Sequence, residues 1–148
     1  LGWSHEVLPN HRPHLHTEME YSVPAENGPK CFAEIRNLLR KRFPEVKWPV
    51  EYRTVAADDI WLSMAYAREV VTISVHQDIG ENEELYYRAC EEVFLSFDGR
   101  PHWGKLNYVS GESFAQIYPR WNDWWKARDK YDPDGLFLNK YTKRLQPK

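Results

Sequence analysis

The order of alternating and helical segments is the feature that most constrains how this chain can fold. Side chains that alternate between apolar and polar predict strands, and apolar residues at three- and four-residue steps predict helices. The predicted strands are residues 18–23, 47–55, 70–76 and 101–103, and the predicted helices are residues 28–43 and 83–97. The order strand, helix, strand, strand, helix, strand is that of a split βαβ unit. The sequence therefore predicts an α+β fold with a ferredoxin-like antiparallel sheet and helices on one face.

The remaining segments predict a single domain with an extension at each end. A length of 148 residues, 42% of them hydrophobic, suits one hydrophobic core. Residues 1–17 contain two prolines and show no period, so we expect an extended connection there, and the start at Leu1 leads us to expect a cut end. Residues 18–105 are predicted to form the α+β domain. Residues 106–148 are predicted to contain a helix from Pro119 and an aromatic tail with a turn at residues 132–135.

Charge and cysteine content exclude several classes of protein. A formal charge of −2 and a pI near 6.3 lack the basic excess of nucleic-acid-binding domains, so no nucleic-acid partner is expected. The longest apolar runs are far shorter than the roughly 20 residues of a membrane span, so no transmembrane segment is expected. Cys31 and Cys90 lie in predicted helices without Cys-x-x-Cys spacing, which favours buried free thiols over a disulfide.

Polar residues on two predicted strands are candidates for a site. Glu51 and Arg53 share one side of their strand, and Ser74 and His76 share one side of the next, because side chains two apart point the same way. If the apolar sides meet the helices, these residues lie together on the opposite face. The alternative is a solvated outer face on which Glu51 and Arg53 form an ordinary surface ion pair.

The segment His102-Trp103-Gly104-Lys105 combines an imidazole, an indole and an amine around a glycine at the end of a predicted strand. Glycine allows a large or flat molecule to approach the backbone closely. A fixed cation beside it stabilises negative charge that develops on a bound ring system. The alternative is a turn glycine followed by an exposed lysine.

No metal site is predicted. His11, His14 and His16 are close in sequence, but their spacing fits no single helix face and no cysteine or carboxylate lies among them. Asp58 and Asp59 are adjacent, which favours a loop-capping role over an acid–base pair. The chain contains no glycine-rich nucleotide-binding motif, P-loop or nucleophile elbow.

Six segments in one register resemble the C-terminal part of a flavoprotein group, the sugar-1,4-lactone oxidases and dehydrogenases of the vanillyl-alcohol-oxidase type. They are HTEMEYSVP, WPVEYRTVAADDIWLS, VHQ, GRPHWGK, YPRW and DPDGLFLNKYTKRL, and the resemblance covers the chain from about Ser4 to Leu145. HWGK and VEYRTVAADD are the most specific of them. The group includes the enzymes that oxidise D-arabinono-, L-gulono- and L-galactono-lactone, and alditol oxidases are close relatives.

The resemblance implies a cofactor and a set of roles. FAD would be bound mainly by an N-terminal domain that this chain lacks. Residues 18–105 would form the substrate domain, and residues 106–148 would pack on the FAD-binding domain. Glu51, Arg53 and Lys105 match catalytic positions, and Ser74, His76 and His102 match substrate-binding positions. Lys105 and Asn139 would face the cofactor. The implied reaction passes a hydride from a carbinol carbon of the sugar to the flavin, which oxygen or another acceptor then reoxidises.

The resemblance also favours one substrate class. Alditol oxidases carry His-x-Thr where this chain has Ser74-x-His76, and the lactone group more often shows VHQ, so we expect a sugar-lactone substrate. A stand-alone sugar- or protein-binding α+β module and an alditol oxidase domain are the alternatives. The expected location is the cytoplasm, with membrane association left open because the group contains both kinds of member.

Overall fold

A computed structural model describes residues 2–7 and 14–147 of the chain. Within these residues the strands are β1 His16–Pro24, β2 Glu51–Val55, β3 Val70–Asp78 and β4 Arg100–Pro101. The helices are α1 Ser4–Val7, α2 Gly28–Arg42, α3 Glu84–Ser96, α4 Gly111–Ile117, α5 Trp121–Tyr131 and α6 Lys140–Arg144, with a 3-10 turn at Ala25–Asn27. The predicted α+β class is confirmed.

The four strands form one sheet in the order β2-β3-β1-β4. Every neighbouring pair is antiparallel, and β1 and β3 pair along their whole lengths, from His16 opposite Asp78 to Pro24 opposite Val70. Each βαβ unit therefore has one strand of the other unit inserted between its own two strands. This is the ferredoxin-like arrangement that the sequence predicts.

Helices α2 and α3 cover one face of the sheet, which we call the apolar face. Its side chains come from alternate positions of the two central strands, and Met19, Tyr21, Ile73 and Val75 are completely buried there. Gly28 starts α2 where the helix approaches β3 most closely, since a Cβ atom at this position would lie 2.6 Å from Val71 Cγ2. The helices and the apolar side chains of the sheet together form the main core.

Several element boundaries differ from the predictions, including those of β2 and β4. Strand β2 begins at Glu51 and not at residue 47, because Pro49 has no N–H to pair with a neighbouring strand. Strand β4 has only two residues, since the chain turns after Pro101. In the predicted extended connection, Ser4–Val7 is helical and residues 16 and 17 belong to β1, while residue 1 and residues 8–13 lie outside the described residues.

The C-terminal helices add a second group of buried aromatics to the core. Phe114, Tyr118, Trp121 and Trp125 of α4, α5 and the segment between them are buried together. The predicted turn at residues 132–135 is present, with Gly135 at φ +67° and its N–H bonded to the carbonyl of Asp132. Residues 106–147 thus pack on the α+β unit, although some large side chains of this region stay exposed.

Both cysteines are buried free thiols, as predicted. Burial raises the pKa of Cys31 to about 12. Among the helices of the described residues, none is long and apolar enough to cross a membrane.

Candidate active site

The face of the sheet opposite α2 and α3 carries the candidate residues, and we call it the polar face. Strand pairing aligns its side chains in rows across β1, β3 and β2. The first row is Glu18 and His76, the second is Glu20, Ser74 and Glu51, and the third is Ser22, Thr72 and Arg53. Residues directly opposite each other on paired strands point to the same side, so Glu51, Arg53, Ser74 and His76 share this face.

Glu20 is the centre of the polar face. Its Oε2 accepts hydrogen bonds from Arg53 Nη2 at 2.5 Å, from Ser74 Oγ at 2.7 Å and from Lys105 Nζ at 2.7 Å. Lys105 Nζ also donates to Glu18 Oε1 at 2.5 Å. Two cations and two carboxylates therefore alternate in one network in which charge-assisted bonds join three separate parts of the chain.

This network differs from the surface ion pair that the alternative expectation described. Arg53 Nε lies 3.9 Å from Glu51 Oε2, whereas its Nη2 is in hydrogen-bond contact with Glu20. Glu20 is only 3% exposed, so the polar face is not a simple solvated surface. Glu51 and Arg53 keep about half of their side-chain surface exposed, at 51% and 53%. They form the open edge of the network.

The network holds its central members in their charged forms. Burial by itself would raise the pKa of Glu20, but hydrogen bonds from Lys105 and Ser74 and the charges of Lys105 and Arg53 lower the pKa below its usual value. Burial by itself would lower the pKa of Lys105, but hydrogen bonds to Glu18 and Glu20 raise it above its usual value. Lys105 is thus a fixed cation, and Glu20 is the anion that holds it in place.

Backbone hydrogen bonds bring Lys105 to β1. After β4 ends, His102 N donates to the carbonyl of Glu20 at 2.8 Å and Leu106 N donates to the carbonyl of Glu18 at 3.1 Å. Residues 102–105 form a turn between these two bonds, in which His102 Nδ1 accepts from Gly104 N at 3.1 Å. The imidazole of His102 therefore orients this turn, and the turn presents Lys105 to the two carboxylates.

The C-terminal region supports the same turn from the other side. The hydroxyl of Tyr118 donates to the carbonyl of Pro101, and the hydroxyl of Tyr141 donates to the carbonyl of Trp103. Trp103 packs edge-on against Trp124, with ring centroids 5.7 Å apart. These contacts fix the position of the Lys105 backbone relative to the sheet.

Residues 56–69 fold over the polar face and form what we call the covering loop. Asp58 caps the loop by accepting from Ile60 N and Ser63 Oγ, in agreement with the predicted capping role. Arg100 Nη1 donates to two carbonyls of the loop, those of Met64 and Tyr66. Between loop and sheet lies a cavity of about 230 Å³, whose lining includes Glu20, Ser22, Arg53, Ser63, Met64, Thr72 and His102.

A larger open groove of about 600 Å³ has Lys105 in its wall, and we call it the Lys105 groove. Its walls are formed by Thr17, Glu18, Trp103, Gly104, Lys105, Leu106, Asn107, Tyr141 and Arg144. A Cβ atom on Gly104 would meet only the ring of His102, so the backbone there stays open to the groove. Lys105 thus lines a wide groove with aromatic walls, and its ammonium group bonds to Glu20, which lines the small polar cavity.

Two of the predicted site residues, His76 and Asn139, make their contacts outside the hydrogen bonds to Glu20. His76 is buried, its Nδ1 lies 3.3 Å from the carbonyl oxygen of Pro49, and its Nε2 lies 3.6 Å from Glu18 Oε1. Asn139 is exposed and caps α6, since its Oδ1 accepts from Thr142 N at 2.9 Å. Asn139 therefore has a local structural role and no direct contact with the Glu20 network.

Sequence reasoning did not single out Glu18 and Glu20. The signal was present, because both alternate with Met19 and Tyr21 and so belong to the side of β1 away from the helices. Acidic residues at such positions are usually solvated, and only the strand register shows that these two meet Lys105 and Arg53.

The geometry sets what the site can do chemically. Two cations held beside one another stabilise negative charge that develops next to them, and the carboxylate of Glu51 is half exposed at the edge of the network. Because three donors occupy one oxygen of Glu20, that carboxylate is suited to holding the cations and not to proton transfer.

Comparison with known proteins finds one family for this chain. The D-arabinono-1,4-lactone oxidase family profile matches residues 1–145. The chain is 41% identical to the L-gulono-1,4-lactone dehydrogenase of Mycobacterium tuberculosis over 142 residues, which are 96% of this chain and 33% of that protein. It is 30% identical to the L-gulonolactone oxidase of Mus musculus over 132 residues, 85% of this chain and 30% of that protein.

A further relative is named for a different substrate. The alditol oxidase of a Streptomyces species is 29% identical over 150 residues, which correspond to 95% of this chain and 35% of the relative. The chain thus spans about a third of the length of the curated relatives that it matches.

Proposed function

This chain belongs to the D-arabinono-1,4-lactone oxidase family, and from that premise we propose that it forms the C-terminal, substrate-side domain of an FAD-dependent oxidoreductase. The proposed reaction oxidises a CH–OH group of a sugar-1,4-lactone, with oxygen or another compound as final electron acceptor. The observation that carries the proposal is the meeting of Arg53 and Lys105, from separate parts of the chain, on the carboxylate of Glu20.

The oxidation of a carbinol requires two departures, a hydride from carbon and a proton from oxygen. Glu51 is the proposed acceptor of the hydroxyl proton, because its carboxylate is half exposed and only 3.9 Å from Arg53 Nε. Arg53 would hold the reacting hydroxyl through its free guanidinium N–H groups, while its Nη2 stays bonded to Glu20. Ser74, His76 and His102 are the proposed substrate-binding residues around this pair.

The residues of the Lys105 groove suit a flavin ring. Trp103 and Tyr141 provide aromatic walls, Gly104 leaves the backbone open, and Lys105 places a positive charge at the rim. When bound there, FAD would supply the hydride-accepting ring. Lys105 would stabilise the negative charge that reduction creates, and a raised pKa keeps its ammonium group protonated for that role. Asn139 could contribute only its amide N–H groups, since its Oδ1 caps α6.

The domain arrangement is also a proposal. Residues 106–148 would pack on the FAD-binding domain, and exposed aromatic and aliphatic side chains between residues 131 and 137 support that role. Tyr131, Leu136 and Phe137 are each at least 80% exposed. Large apolar side chains grouped on a surface are typical of interfaces.

The substrate class is proposed from the relatives. Lactone dehydrogenases and oxidases are named among them at 41% and 30% identity, and the alditol oxidase follows at 29%. We therefore favour an aldonolactone over an open-chain polyol.

The proposed role of Glu51 is tested by the substitution Glu51→Gln in the full-length protein that contains this chain. Loss of the proton acceptor is expected to slow lactone-dependent flavin reduction by about 10²–10⁴-fold, measured by anaerobic stopped-flow absorbance with L-gulono-1,4-lactone. Glu34→Gln makes the same chemical change at an exposed position of α2 and is expected to leave the rate unchanged. A Glu51→Gln rate within about twofold of wild type would show that the role is wrong.

A stand-alone sugar-binding module is the competing function, and it is tested with the 148-residue chain alone. The proposal expects no saturable change in tryptophan fluorescence when this chain is titrated with the lactone. Saturable binding by the chain alone would favour the binding module.

A further inference from the structure

Two histidines and one carboxylate converge at one end of the polar face. His16 and Glu18 lie two residues apart on β1 and therefore point to the same side, and His76 lies directly opposite Glu18 on β3. One potential ligand atom from each of the three lies within 4.8 Å of the other two. The strand register creates this group, because residues 16 and 76 are far apart in sequence.

Both histidines have their Nδ1 atoms directed at backbone carbonyls. His16 Nδ1 lies 3.4 Å from the carbonyl oxygen of His14, and His76 Nδ1 lies 3.3 Å from that of Pro49. A carbonyl oxygen only accepts, so in the neutral imidazole this contact favours the tautomer with hydrogen on Nδ1, which leaves Nε2 as the atom available to a metal. Metal-binding histidines are typically oriented by a second-shell bond of this kind.

The tryptophan beside the group holds both rings in place. The indole of Trp48 lies 4.7 Å from the ring centroid of His16 and 5.8 Å from that of His76. Its Nε1 donates to Asp78 Oδ1 at 2.9 Å, which fixes the indole on the end of β3. The two imidazoles therefore need little ordering when a ligand binds between them.

The spacing of the donor atoms suits a transition metal. His76 Nε2 and Glu18 Oε1 are 3.6 Å apart, too far for a hydrogen bond. Ligand atoms about 2.0–2.2 Å from a tetrahedral zinc ion are roughly 3.3 Å from one another, so the three donor atoms, which lie within 4.8 Å of one another, would have to move inward to complete the site. Two imidazoles and a carboxylate with a fourth position for water are a common zinc-binding combination.

We propose that His16, Glu18 and His76 form a binding site for a divalent transition metal of the Zn²⁺ class. The site shares a carboxylate with the Glu20 network, because Glu18 Oε1 also accepts from Lys105. A bound dication and the ammonium group of Lys105 repel each other and compete for this carboxylate. Metal binding is therefore weakened by Lys105 and strengthened when its charge is removed.

The test measures the Zn²⁺ affinity of the full-length protein that contains this chain, by titration in competition with a chromogenic chelator. One high-affinity site is expected in the wild type. His16→Gln and His76→Gln are each expected to weaken binding at this site by at least about tenfold. His5→Gln removes an exposed histidine outside the group and is the matched control, with unchanged affinity expected.

Lys105→Met provides a readout in the opposite direction. Its Zn²⁺ affinity is expected to rise roughly fivefold, because a competing cation is gone. Thermal unfolding without metal shows whether each variant is folded before its affinity is compared. Equal affinities of the wild type and both histidine variants would overturn the proposal, and so would a Lys105→Met affinity that does not rise.

Discussion

The two faces of the central strand pair β1–β3 are both buried, but in different ways. On the apolar face, Tyr21 and Ile73 are fully buried under helices. On the polar face, Glu20 and Ser74 are almost as inaccessible, yet Glu20 is covered there by hydrogen-bonding partners from β2 and from the turn after β4, and the covering loop lies over the same face. Burial alone therefore does not distinguish a face that stabilises the fold from one that arranges charges.

This difference predicts how each face responds to substitution. Removing hydrocarbon from the apolar face leaves a cavity, which lowers the free energy of unfolding. Removing a charge from the polar face leaves its hydrogen-bonding partners uncompensated. This change lowers the free energy of unfolding and also lets the cations move.

The largest effect on stability is expected on the apolar face. Phe94 of α3 is fully buried and stacks on Tyr21 with ring centroids 5.0 Å apart. Phe94→Ala is expected to lower the free energy of unfolding by about 3–5 kcal/mol, measured by urea denaturation. Leu85→Ala on the same helix, at 72% exposure, is the control, with a change expected within about 0.5 kcal/mol. Equal losses in both variants would contradict the assignment of the core.

A smaller effect is expected for Glu20→Gln. The change removes a carboxylate that accepts from Arg53, Ser74 and Lys105, but both cations keep contact with water, which limits the cost. A loss of about 1.5–3 kcal/mol in the free energy of unfolding is expected. Glu34→Gln, the exposed control, is expected to change little. If Glu20→Gln were as stable as that control, the network would not contribute to the fold.

A still smaller effect on the free energy of unfolding is expected when the pH is lowered. The pKa of Glu20 is lower in the folded protein than in the unfolded chain, so its contribution to stability is present above its unfolded pKa and is lost as pH falls through the folded value. From about pH 6 to about pH 3, the wild type should lose more unfolding free energy than Glu20→Gln. Parallel losses would mean that another group produces the acid response.

Much of the fold could be predicted because it follows from side-chain periodicity. Alternation in β1 and β3 predicted two faces, and the order of elements predicted the sheet. The start of β2 was wrong because Trp48 and Pro49 continue the alternation without joining the strand. Trp48 instead packs against His16 and His76.

The site was less predictable because it depends on contacts between distant segments. Parity placed Glu51 and Arg53 on a common face with Ser74, but it gave no indication that Arg53 pairs with Glu20 more closely than with Glu51. The position of Lys105 depends on two backbone bonds from residues 102 and 106 to β1, and short sequence patterns carry no information about such bonds.

The most direct test of the Glu20 network is a double-mutant cycle of Glu20→Gln and Lys105→Met, read by the free energy of unfolding. The structure has these side chains in direct contact, at 2.7 Å between Nζ and Oε2. The two changes should therefore be non-additive, with a coupling energy of about 1–2 kcal/mol. Additive effects would mean that the lysine and the carboxylate act independently, which would contradict the network on which the proposed site depends.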